Sequence, residues 1–156
     1  MLTVSREISE KLRLRLTGEE KERAIRQQTV NPEAYRLYLK GLYYWYQAKP
    51  EGYEKSRDYF QQAIDKDPTY ARAYIGLSWY YAILADDGLS PPSEAWPKAR
   101  EAVLKAQEID STLAEVPLGL GSVKLLYEWD WPGAEREYTK ALQLSLSAAE
   151  VYREYS

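Results

Sequence analysis

The chain of 156 residues contains no cysteine and no histidine, one phenylalanine and one methionine. Without cysteine there are no disulfides, no thiolate nucleophile and no cysteine-ligated zinc. Without histidine the commonest general base and the commonest metal ligand are both missing. No apolar run approaches the ~20 residues of a membrane span, and no signal-peptide pattern opens the chain. There is no phosphate-binding loop and no nucleophile elbow. Charge of one sign is also lacking: 21 Lys and Arg stand against 24 Asp and Glu, mixed along the chain, for a formal net charge of -3. That balance argues against disorder and against dedicated nucleic-acid binding.

What is present is skewed toward tyrosine and tryptophan, 15 and 5 residues respectively. Both offer a large apolar face with a polar handle, tolerate partial exposure and are enriched at interfaces. Apolar residues otherwise recur at helical spacing, and no strand-like alternation persists. Even Leu12-Arg13-Leu14-Arg15-Leu16 reads as helix, because Ile8, Leu12 and Leu16 fall four apart on one face.

A pattern recurs three times. Ser56-x3-Phe60-x2-Ala63 precedes Asp67-Pro68, Ala99-x3-Val103-x2-Ala106 precedes Asp110-Ser111, and Ala134-x3-Tyr138-x2-Ala141 precedes Ser145-Leu146. Each follows a helix with its own marks: Gly41 and Tyr44, then Tyr74-x2-Leu77-Ser78-x2-Tyr81, then Leu120-Gly121, and the chain ends on Tyr152-x2-Tyr155-Ser156. These marks resemble the tetratricopeptide repeat (TPR) family, whose unit is about 34 residues. Gly41, Ser78, Gly121 and Ser156 are separated by 37, 43 and 35 residues. The excesses fit turn chemistry at Lys49-Pro50-Glu51-Gly52 and at the Pro-rich stretch 86–93. Asn31-Pro32 and Asp130 read as helix caps, and Thr17-x-x-Glu20, Thr112-x-x-Glu115 and Ser147-x-x-Glu150 as capping boxes. Lys124, Pro117, Ser111 and Leu146 depart from the family pattern.

The resemblance implies an all-α fold, a right-handed TPR superhelix of antiparallel helix pairs. Repeats are expected at about 33–68, 70–111 and 113–146, with a truncated fourth from 147 and a helical lead-in over 1–30. The lead-in, together with Trp129-Asp130-Trp131, is similar to the TPR regions of large bacterial regulators linked to kinase, cyclase or winged-helix domains. A cytoplasmic location is the expectation, with an extracytoplasmic placement of the parent region left open.

In such a stack the first helix of each pair lines a concave face. Helical spacing assigns to it Tyr35, Tyr38, Leu42, Trp45 and Tyr46, then Arg72, Ile75, Trp79 and Ile83, then Leu118, Ser122 and Leu125. That face is aromatic and aliphatic and suits an apolar helix or a peptide with bulky anchors. Only Arg72 would meet a carboxylate there. Taken singly, each of these aromatics fits a role as core between pairs better than a role in binding. The expected function is non-catalytic protein binding, with no metal and no cofactor. The alternatives are a spacer or self-association module, with Val151, Tyr152 and Tyr155 forming a homodimer end, and, less favoured, nucleic-acid binding through the basic residues of the lead-in.

Overall fold

The computed structural model describes residues 31–154, with side chains as far as Ser147. The expected lead-in helices, Tyr155, and the side chains of Val151 and Tyr152 lie outside the described residues. Six helices follow one another: α1 Pro32–Trp45, α2 Pro50–Lys66, α3 Ala71–Asp86, α4 Pro92–Ile109, α5 Glu115–Val123 and α6 Trp131–Glu154. A π-helical turn, Lys124–Glu128, joins the end of α5. The helices pack in consecutive pairs, α1 with α2, α3 with α4 and α5 with α6, and each pair packs onto the next. Among the described residues no helix is long and apolar enough to cross a membrane.

Local chemistry sets the boundaries. Asn31 accepts hydrogen bonds from the backbone N–H of Glu33 (3.0 Å) and Ala34 (3.2 Å), with Pro32 in the first turn. Pro50 and Pro92 open α2 and α4, where their missing N–H costs nothing. Asp130 accepts from Gly133 N–H at 2.9 Å and caps α6.

The corner between pairs is built twice in the same way. Asp67 and Asp110 both end a helix in extended conformation (φ -145° and -149°), and each donates its N–H to the alanine carbonyl four residues back. Each carboxylate then accepts the N–H and the hydroxyl of the threonine two residues on, Thr69 and Thr112. Thr112 is therefore turned back to Asp110 and does not cap α5 as the sequence suggests; Ala114 stands at that position without a side-chain bond.

Two further boundaries differ from expectation. Of the six residues by which Ser78–Ala99 exceeds Gly41–Ser56, four lengthen α3 by a turn, so the connection is only 87–91. Trp96 and Ala95 fill the space beside that extra turn, packed with Ala85, Ala99 and Val123. The break expected at Ser145-Leu146 does not occur, and α6 is continuous. Ser147 sits inside the helix and donates to the Gln143 carbonyl four residues back, the bond a serine makes mid-helix rather than at a cap. Without a proline at 146, nothing removes a helix bond there.

The recurring small and large residues form the core. Ser56, Ala63, Ala99, Ala106, Ala134 and Ala141 are all buried. Phe60 is completely buried between α1 and α3. A Cβ added to Gly41 would lie 2.5 Å from its ring, and one added to Gly76 would lie 2.7 Å from the ring. The later pairs repeat this: Gly119 presses on Val103 (2.7 Å) and Gly121 on Tyr138 (2.6 Å). Ser78, at the position of Gly41 and Gly121, is buried and satisfies its hydroxyl on the Ile75 carbonyl at 2.7 Å.

Gly41→Ala and Gly76→Ala should each destabilise the fold by ~1–2 kcal/mol, because overpacking (~1–3 kcal/mol) outweighs the helix propensity gained (~1 kcal/mol). Urea unfolding of the Gly76→Ala/Phe60→Leu double variant should recover part of that loss, and strictly additive losses would refute the clamp.

Candidate functional site

The first helices touch one another along the array, α1 with α3 and α3 with α5, whereas the second helices make no comparable contact among the described residues. The row α1–α3–α5 thus forms one face. At its centre the rings of Trp45 and Trp79 lie 5.8 Å apart, tilted by 34°, and Tyr53 from α2 closes on Trp45 at 5.0 Å. Both tryptophans are half-buried. Tyr46 is 76% exposed at the end of α1, and Tyr35 and Leu118 are also exposed. Leu42, Arg72 and Ile83 are half-buried.

Two residues assigned to this face are instead core. Tyr38 is 7% exposed, with its ring against Phe60 (5.8 Å) and edge-on to Tyr70 (5.3 Å). Ile75 is 1% exposed and packs with Val103, Ala106 and Leu113. A helical stripe is wide, and its flanks are claimed by the neighbouring pair. The third pair differs more. Ser122 donates to the Leu118 carbonyl and lies 3.5 Å from the Tyr138 hydroxyl, and Leu125 lines a cavity with residues of α6. The wider π turn rotates the register beyond Val123, turning Leu125 toward α6. Glu115, which helical spacing also assigns to the face, lies beside Arg72; Tyr53 joins the face unassigned, and no spacing signal marks it.

Charge on the face is sparse. The Arg72 guanidinium approaches Glu115 at 3.9 Å, with both side chains about a third exposed. Such a pair contributes at most about 1 kcal/mol. The Arg72 Nε and the Tyr70 hydroxyl are buried without a partner. Burial raises the Tyr38 pKa despite the opposing pull of Arg72, and raises that of Tyr70 further. On the opposite side, Tyr80 donates to Glu54 at 2.7 Å, tying α3 to α2. Burial and that carboxylate push its pKa up to about 12. The adjacent Asp86 and Asp87 are exposed at the end of α3, where partial desolvation and mutual repulsion raise the pKa of Asp86. They share one helix end and do not face each other across a cleft. Among the described residues no group of acidic side chains is placed to hold a metal ion.

The raised tyrosines give a pH dependence. The protonated phenol is the form favoured by folding, so the contribution of Tyr80 is intact below the ordinary tyrosine pKa of about 10 and is lost as pH climbs toward about 12. Absorbance titration should show late-ionising tyrosines, and denaturant midpoints should fall between those two pH values. Tyr80→Phe should flatten part of that fall; an unchanged slope would contradict the Tyr80–Glu54 link. No family model matches the chain, and no curated protein matches it.

Proposed function

We propose that the three helix pairs form a right-handed superhelix of the TPR type and that the row α1–α3–α5 is its concave, protein-binding face. The domain is a non-catalytic scaffold that takes an apolar helix or a peptide with bulky anchors, as part of a larger bacterial regulator in the cytoplasm. One observation carries the reading: Trp45 and Trp79, from consecutive first helices, meet at 5.8 Å and remain half-open to solvent. Large aromatics in a partly desolvated setting are the side chains that supply most binding energy at protein interfaces. The repeated aspartate corner and the contact confined to first helices support the superhelix, since an inner row must be the shorter one. The lack of cysteine and histidine supports a binding role over a catalytic one.

A displayed-peptide library panned on the chain should enrich sequences with aromatic or large aliphatic anchors. A Trp45→Ala/Trp79→Ala variant that keeps its helical circular dichroism should lose them, at a cost of 2 kcal/mol or more, roughly thirtyfold in Kd. Binding should depend weakly on salt, in contrast to a nucleic-acid site. Absence of enrichment, or equal enrichment by the folded variant, would leave the two tryptophans as core and the domain as a spacer.

A further inference from the structure

A second apolar surface lies away from that face, where the third pair ends. Trp129 occupies the left-handed region (φ 58°, ψ 23°), a conformation that costs a bulky residue about 1–2 kcal/mol. It is held there firmly. The Lys124 carbonyl accepts the N–H of both Trp129 and Asp130, and the Lys124 ammonium lies 3.5 Å from the Asp130 carboxylate that caps α6. This locked knuckle puts its ring into solvent: Trp129 is 73% exposed, and Trp131 beside it 66%. Strain retained at an exposed tryptophan is unexplained by packing among the described residues.

Trp131, two residues on from Trp129, is also one wall of a hollow. A cavity of about 570 Å³ is lined by Leu125, Trp131, Ala134, Tyr138 and Leu142. It is open to solvent on one side and has room for one indole ring. The fold itself shows what covers such a surface. On α2 the equivalent residue, Phe60, is covered by α3 through Gly76; on α4, Val103 is covered by α5 through Gly119. Tyr138 has Gly121 on one side and lines the open cavity.

We propose that this surface is a homodimer interface, in which Trp129 of each copy enters the α6 cavity of the other about a twofold axis. Knob and hollow on one patch are what a self-complementary twofold contact requires. The charges around it, Lys124 and Arg136 against Asp130 and Glu135, cancel, so two copies meet without like-charge repulsion. Trp129, Trp131, Leu126, Leu142 and Leu146 together expose on the order of 600 Å², at the top of the range for the largest patch on a monomer and approaching the ~800 Å² per partner of a standard interface. Head-to-tail stacking is disfavoured. Leu39 holds in α1 the place of Gly76 in α3, 37 residues on, and its side chain would collide where the glycine closes on the ring.

This contact is independent of the α1–α3–α5 face. Sedimentation equilibrium of the 156-residue chain should show a concentration-dependent dimer. Trp129→Gly and Leu142→Lys should each raise its Kd at least tenfold with unchanged circular dichroism, while Tyr46→Ala should leave it unaltered. Trp129→Gly should also raise the urea midpoint of the dilute, monomeric chain, because the glycine relieves the strained backbone. A monomer at every concentration would overturn the proposal, as would a dimer indifferent to both substitutions. A monomer in which Trp129 is shielded from a collisional quencher would overturn it in favour of cover by residues 1–30.

Discussion

The ring of Phe60, held between Gly41 and Gly76, sets the distances on which the rest of the array depends. A glycine removes the Cβ that would keep a helix axis away, so three helices converge on one side chain with no space for adjustment. The chain's only phenylalanine is spent here, where a ring with no polar atom is needed. The next pair uses Val103 in the same role and the third uses Tyr138, whose hydroxyl is tolerated because it reaches the vicinity of Ser122. The clamp thus loosens and becomes more polar along the chain.

Much of this was legible from spacing alone. The small-x3-large-x2-Ala framework, the caps at Asn31 and Asp130, and the order of helix pairs follow from small residues at helical intervals and from side chains that satisfy free N–H groups. What was not legible depended on competition between near-equal local choices. Thr112 had two uses, as a cap for α5 or as a partner for Asp110, and the aspartate two residues away won. Ser147 likewise had a capping partner in sequence but a nearer carbonyl within α6. Tyr38 and Ile75 fell on the face by periodicity and in the core by crossing geometry, which periodicity does not encode. Nothing before residue 124 announces the π turn that redirects Leu125.

The tyrosines divide their labour by depth. Tyr38 and Tyr70 are deep, the Tyr70 hydroxyl without a partner, whereas Tyr44 and Tyr81 stay near the surface under lysine ammonium groups, Lys55 at 5.2 Å and Lys98 at 5.8 Å. That lysine-over-tyrosine contact recurs once, the tyrosine 37 residues on and the lysine 43, the spacings of Gly41 to Ser78 and of Ser56 to Ala99. Lys124 takes the tyrosine's place in the third pair and pairs with Asp130 instead. The position that caps the outer surface in two pairs becomes, in the third, the anchor of a displayed tryptophan.

The two aspartate corners share the bond back to the alanine carbonyl and both bonds to the threonine, yet the connections inside the pairs differ in length and helix extent. Variation in helix and connection length is therefore greater on one edge of the array. The other edge keeps the same aspartate-to-threonine turn at both corners. A chain built this way can acquire or shed residues near Gly88, at the tip of the second pair, without altering how one pair packs on the next. In the vocabulary of molecular evolution, the structure separates a freely editable margin from a copied seam.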